Sequence, residues 1–381
     1  MPNTVSLNIN AQALGSNPQR AIDVQSALQS AYTLILDDHK SGKWHVAKQL
    51  HQRSPTTGII HRRFLPKDPH NPDAGGWEGE LWRVPANDST LQPHDFVNFL
   101  ATQDSPPPYI IHQIMNEPAV YGAELVKCLN WLVAGMEAAA AANQRWCVYN
   151  AQTVAIRKED INAGVYDVFL FALAKHRDKH VLGVHEYGLG ILPANVNDNA
   201  INHMTEPGAF PFERWYHEPV IPEQAHLGRY RLLLNRAKAI GATPFAPIVM
   251  TEYGWDDVRL GVRDNVAALN AAPPMGAITL NTLWSKHYPA MTRDECAAKQ
   301  VKWAKDVFPE IAAFCLYGID SSFENGRYHV GDMTDFLTRL IADVNTAPPQ
   351  TPPTPPPAPL TLEQRVAALE AWRASVTSDH K

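Results

Sequence analysis

Apolar and polar positions along the chain fall into two patterns that take turns. Short apolar runs rich in Val, Ile, Leu and Phe recur, and between them lie longer segments with apolar residues three and four positions apart. The first pattern predicts strands buried on both faces, the second amphipathic helices. Strands are predicted at Val5–Ile9, Tyr32–Leu36, Gly58–Phe64, Tyr109–Met115, Trp146–Asn150, Val181–His185, Pro247–Met250 and Ile311–Tyr317. Helical segments are predicted at Pro18–Ser30, His45–Arg53, Pro93–Thr102, Ala123–Ala142, Tyr166–Lys175, Glu223–Ile240, Arg293–Val307 and Asp335–Val344.

Strands alternating with helices predict an α/β fold with a parallel sheet, and eight strands is the number that closes a (β/α)8 TIM barrel. A doubly wound open sheet is the alternative, but no Gly-x-Gly-x-x-Gly follows the first strand to favour it. The barrel is assigned to residues 1–345. Residues 346–360 are dense in proline and predict an extended, semi-rigid linker. Thr361-Leu362-Glu363-Gln364 has the form of a capping box, opening a short C-terminal helix over 361–381. Leu362, Val366, Leu369 and Val376 lie near heptad spacing, so that helix is expected either to support weak self-association or to stand alone as a tail. A long irregular stretch from Gly188 to about Pro222 predicts a lid or cleft wall.

Composition narrows the partners. The 381 residues are 45% hydrophobic, enough for one large core. A net charge of −6 without a long basic run argues against nucleic acid and anionic membrane surfaces. No uninterrupted apolar run of about 18 residues is present, so no membrane span is expected. Met1-Pro2-Asn3-Thr4 lacks the pattern of a secretion signal, which leaves a cytoplasmic or a released, virion-associated location open. The four cysteines show no Cys-x-x-Cys spacing, and Cys147 and Cys315 are expected as buried thiols. No metal-ligand spacing, phosphate loop or Gly-x-Ser-x-Gly elbow is found, so neither metal nor cofactor is expected.

In a barrel, functional groups gather at the C-terminal ends of the strands. Asp37, Arg62, Arg63, Asn116, Glu117, Asn150, His185, Tyr187, Glu252 and Tyr317 all fall at or just past such ends. Two of these ends carry a glutamate: Tyr109–Met115 runs into Asn116-Glu117-Pro118, and Ile248-Val249-Met250-Thr251 into Glu252-Tyr253-Gly254-Trp255. A pair of carboxyls is what cleavage of a glycosidic bond requires. One supplies a proton to the leaving oxygen and the other meets the anomeric carbon.

With these motifs in place, the chain resembles the clan A glycoside hydrolases, the retaining TIM-barrel enzymes that include the family 5 cellulases and mannanases. The resemblance rests on Asn116-Glu117-Pro118 at the fourth strand, His185-Glu186-Tyr187 at the sixth and Thr251-Glu252-Tyr253-Gly254-Trp255 at the seventh, and covers roughly residues 5–344. It implies hydrolysis of a β-linked oligo- or polysaccharide by double displacement, with Glu117 as acid/base and Glu252 as nucleophile. It also implies Asn116 as partner of the sugar 2-hydroxyl, Tyr187 as the phenol orienting Glu252, and His185 as a lining residue. Arg62 or Arg63 is expected beside the nucleophile. Arg63 is counted among the substrate-binding residues together with Trp255 and Trp284, whose rings offer faces for stacking sugars. Glu186 is expected to point away from the cavity by strand alternation.

Two departures from the clan pattern stand out. The second strand ends in Asp37-Asp38 where the clan usually places an arginine, and the eighth ends in Tyr317-Gly318-Ile319-Asp320 rather than at a tryptophan. They motivate a rival expectation: a non-catalytic carbohydrate-binding barrel, tethered by its tail to an assembly such as a phage or cell-surface complex.

Overall fold

The computed structural model describes residues 4–10, 19–38, 44–65, 67, 77–83, 91–102, 106–118, 120–152, 155–189, 230–255, 305 and 308–319. Within them, β1 (Val5–Asn10), β2 (Tyr32–Leu36), β3 (Gly58–Arg62), β4 (Ile110–Ile114), β5 (Arg145–Gln152), β6 (Val181–Leu189), β7 (Ile248–Trp255) and β8 (Ile311–Ile319) pair in parallel in chain order. β8 returns to β1, with Val5 opposite Phe314, and the sheet closes into a barrel. Around it stand α1 (Gln19–Leu28), α2 (His45–Arg53), α3 (Pro93–Thr102), α4 (Gly122–Ala141), α5 (Lys158–Asn162), α6 (Asp167–Lys175) and α7 (Tyr230–Ala239). The fold is a (β/α)8 TIM barrel, as the alternating pattern predicts.

The apolar runs read as continuous because each strand is covered on both sides. Leu34, Ile60, Ile111, Cys147, Val181 and Val249, one from each of six consecutive strands, form a buried cluster that fills the barrel. Their neighbours, such as Ile59, Ile110, Val148, Leu182 and Ile248, join the larger core between sheet and helices. Each such side chain contributes about 1.5–3 kcal/mol on burial. On the outer side Trp146 lies with its ring centroid 6.3 Å from Trp131 and 6.2 Å from Phe96. Gly135 of the alanine-rich α4 makes room for it, since a Cβ there would come 2.5 Å from the Trp146 ring.

Under the site, β5 and β7 each carry one residue more than β6 between them. Tyr149 pairs with Gly183 and Ala151 with Val184, which leaves Asn150 unmatched in β5. Val184 pairs with Met250 and His185 with Glu252, which leaves Thr251 unmatched in β7. Both are β-bulges, the feature that bends a strand and re-aims a side chain. Tyr149 and Asn150 have φ of 76° and 42°, the left-handed region that asparagine tolerates better than most residues.

The last strands are longer than their side-chain pattern suggests. β6 runs to Leu189 instead of stopping at His185, and β7 to Trp255 instead of Met250. Backbone pairing of Glu186 with Tyr253 and of Tyr187 with Gly254 carries them forward together, a ladder that hydrophobic spacing does not register. Cys128, Cys147 and Cys315 are buried free thiols. No helix among the described residues is long and apolar enough to cross a membrane. The expected linker (346–360) and C-terminal helix (361–381) lie outside the described residues. So do the closing helix and most of the stretch expected as a lid.

Candidate active site

The site is built at the C-terminal ends of β3, β4, β6 and β7. β4 delivers Glu117 through a turn in which Met115 and Glu117 both have left-handed φ, 66° and 51°. The Glu117 amide donates to the carbonyl of Asn150 at 3.0 Å, which ties the end of β4 to the bulge of β5. β7 delivers Glu252 directly after its own bulge.

The two carboxyls face one another. His185 Nδ1 lies 3.0 Å from Glu117 Oε1 and 3.5 Å from Glu252 Oε2. A carboxylate oxygen of Glu117, one of Glu252 and the imidazole nitrogen all fall within 4.8 Å of one another. Arg62 Nη1 donates to Glu252 Oε1 at 2.6 Å. The surroundings of the two acids differ: the Glu252 side chain is 6% exposed and bridged to a guanidinium, whereas that of Glu117 is 32% exposed. A carboxylate buried that deeply needs a compensating charge, and Arg62 supplies it. Which of the two donates follows the proton: an ionised Glu117 accepts from Nδ1–H, and a protonated one can donate to Nδ1. His185 Nε2 has no hydrogen-bond partner among the described residues. Glu117, His185 and Glu252 are also the described residues whose donor atoms lie close enough to share a cation; Arg62 already brings one positive charge to that set.

The arginine at the carboxylate is Arg62. Arg63, expected on the substrate side, lies with its guanidinium 5.3 Å from the centre of the Phe99 ring, against α3. Successive residues leaving a strand point to opposite faces, so only one of the pair turns toward Glu252. The aspartates at the end of β2 make structural contacts with the backbone. The Asp37 amide donates to Arg62 O at 2.9 Å and its carboxylate accepts from Phe64 N at 3.0 Å, bracing the turn that carries Arg62. Asp38 accepts from Val46 N at 3.3 Å and Ala47 N at 2.9 Å, capping α2, whose first flanking residue Trp44 has a left-handed backbone.

Asn116 accepts from Gln113 Nε2 at 3.2 Å and lines a small cavity with Arg62, Arg63, Gln113 and Met115. Behind it His112 is buried. Desolvation, and then the nearby Arg63 charge, push its pKa down to about 4. The backbones of Tyr187 and Trp255 lie in β6 and β7, opposite Gly254 and Leu189. Their side chains and that of Glu186 fall outside the described residues, as does Trp284 entirely.

Two groups that matter to the geometry carried little signal in the sequence. Asn150 is fully buried, and its Nδ2 donates to Ile114 O and Met115 O at 3.2 Å and to Cys147 O at 3.1 Å. Its Oδ1 accepts from the Thr251 hydroxyl at 3.1 Å and from Cys147 Sγ at 3.3 Å. Thr251 O in turn accepts from Asn8 Nδ2 of β1 at 3.3 Å. The only trace of this in the chain is a polar residue closing each of two apolar runs.

No protein-family model matches the chain, and no curated protein matches it. Several solved structures are similar to it. One is a GH5-4 broad-specificity endoglucanase from an uncultured bacterium, 12% identical over 90% of this chain and 94% of that one, with a TM-score of 0.45. Another is a family 5 xyloglucanase from Paenibacillus pabuli, 13% identical over 90% and 98%, with a TM-score of 0.45. A third is Cel5A of Thermotoga maritima, in complex with mannotriose, 11% identical over 89% and 98%, with a TM-score of 0.44. The functional reading below rests on the site.

Proposed function

We propose that this chain is a retaining glycoside hydrolase acting on a β-linked oligo- or polysaccharide. The observation that carries the reading is the approach of Glu117, from the end of β4, and Glu252, from β7, to within 4.8 Å, oxygen to oxygen. Carboxyls about 5–5.5 Å apart are the mark of double displacement, while inverting enzymes hold theirs roughly 6.5–9.5 Å apart to admit a water. The unequal surroundings support a division of roles. Glu252, buried and held by Arg62, is the nucleophile: its oxygen forms a bond to the anomeric carbon as the glycosidic bond breaks. Glu117, the more open of the two, gives its proton to the departing oxygen. Water then enters, Glu117 takes a proton from it, and the oxygen displaces Glu252 from the anomeric carbon, with net retention.

Within that scheme Asn116 meets the sugar 2-hydroxyl, and His185 holds Glu117 in line. Tyr187, Arg63, Trp255 and Trp284 remain candidates for the substrate side. Glu117→Ala and Glu252→Ala are the test. Each is expected to lower kcat on aryl β-glycosides by several orders of magnitude while leaving the circular dichroism spectrum intact. Undiminished turnover in either variant overturns the reading. Glycan binding by the intact chain without turnover on a broad panel favours the rival, a binding barrel.

A further inference from the structure

Beneath the two glutamates lies a contact between strands that are not neighbours. β5 and β7 are separated by β6, yet the unmatched residue of each reaches under it to the other: the Thr251 hydroxyl donates to Asn150 Oδ1 at 3.1 Å. β6 leaves space for this at Gly183, where a Cβ would stand 1.8 Å from Asn150 Oδ1. The same carboxamide uses its Nδ2 to hold the carbonyls of Ile114 and Met115, the residues that lead β4 into Glu117. Its backbone carbonyl accepts the Glu117 amide. One buried residue therefore grips the root of Glu117 on one side and, through Thr251, the residue directly before Glu252 on the other.

From this arrangement we infer that Asn150 is a positioning residue that sets the separation of the Glu117 and Glu252 carboxyls. The inference rests on the hydrolase reading above. Its chemistry is specific to an amide. Nδ2 must donate to carbonyls while Oδ1 accepts a hydroxyl, and of the side chains that fit the space only a carboxamide does both in fixed directions. A left-handed backbone at a bulge also suits asparagine. Misplacement of a reacting group by about 1 Å costs on the order of 100-fold in rate, so loss of this grip should appear in kcat.

Two variants and one pH series decide it. Asn150→Asp keeps the oxygen that accepts from Thr251 but turns a second oxygen toward three carbonyls. When ionised it repels them; when protonated it donates to one. The expected result on an aryl β-glycoside is a kcat about 100-fold below wild type at neutral pH, with KM within about threefold. Partial recovery relative to wild type as the pH is lowered is also expected, because burial and the carbonyl dipoles favour the protonated form. Thr251→Val removes the other arm, together with the hydroxyl's longer 3.4 Å contact to Val184 O, and is expected to lower kcat about tenfold with the fold retained. It carries the test alone if Asn150→Asp does not fold. Wild-type kcat in both variants overturns the inference and leaves the hydrolase reading standing. So does a loss that merely tracks the fraction of folded protein and shows no recovery at low pH. An intact chain that turns over no β-glycoside overturns the reading, and the inference falls with it.

Discussion

Arg62 and Glu252, 190 positions apart in the chain, meet with Nη1 and Oε1 at 2.6 Å. The guanidinium stands beside Oε1 and the His185 imidazole beside Oε2, so the charge that balances the buried carboxylate and the imidazole meet different oxygens. Electrostatic support of that kind is worth about 100- to 1000-fold in kcat where it has been removed singly from other enzymes. Arg62→Ala is expected to lower kcat/KM by about that factor in steady-state assays, and Arg62→Lys to recover part of it, since an ammonium offers charge without the planar fork. Arg63→Ala should cost less. A larger loss from Arg63→Ala than from Arg62→Ala would reverse the assignment.

Glu117 holds a left-handed backbone, φ 51°, that a residue with a Cβ adopts at a cost of about 1–2 kcal/mol. Glu117→Gly removes that strain and one of two facing carboxyls, and His185 Nδ1 retains Glu252 Oε2 nearby as acceptor. The variant is expected to be inactive yet more stable than wild type by about 1 kcal/mol in urea denaturation. A fall in stability would show that the site is not a place where the fold is held against its own preference.

Two buried histidines tie stability to pH. His180 accepts from Trp146 N at 3.2 Å through Nδ1 and meets Met136 O through Nε2 at 3.0 Å, an arrangement only the neutral ring satisfies. Desolvation pushes its pKa down to about 4, and that of His112 likewise. The unfolded chain binds protons near the ordinary histidine value that the folded chain refuses. Their contribution is therefore fully present above about pH 6.5 and is lost as the pH falls toward 4, on the order of a few kcal/mol for the pair. The urea midpoint should decline through that window, and less steeply in His180→Gln. A midpoint that stays flat between pH 6.5 and 4 would contradict this.

Far from the cleft, Gly135→Ala drives a methyl into the Trp146 ring, with 2.5 Å available. Overpacking of a filled core typically costs about 1–3 kcal/mol, so Tm should drop by several degrees with kcat unchanged in the fraction that stays folded. An unaltered Tm would mean the Trp131–Trp146 stack can shift to make room.

The barrel was legible because strands covered on both faces write themselves as unbroken apolar runs, and helices between them keep a different spacing. The glutamates were legible because they interrupt such runs. What sequence could not show was how they are aimed. Strict alternation from Cys147 would place Tyr149 inside the barrel and Asn150 outside. Instead Tyr149 packs outward on Tyr166 and Phe169, and Asn150 turns in. Nor does spacing say which of Arg62 and Arg63 faces the cleft, because a strand's last residue is defined by pairing and not by side-chain type. Asp37 and Asp38 read in the sequence as a bare departure at the end of the second strand; Asp37 braces the turn that carries Arg62, and Asp38 caps α2.

The extra residue in β7 has one more consequence. From Val249 inward and Met250 outward, a regular strand would show Thr251 to the lumen and Glu252 to the helices. The surplus position changes the parity of everything downstream, and it is this shift of one that brings Glu252 round to Glu117. A strand that kept Thr251 but paired it regularly with β6, with no surplus position, would hold the same residues and could still close its ring of staves, with Glu252 turned toward the helices.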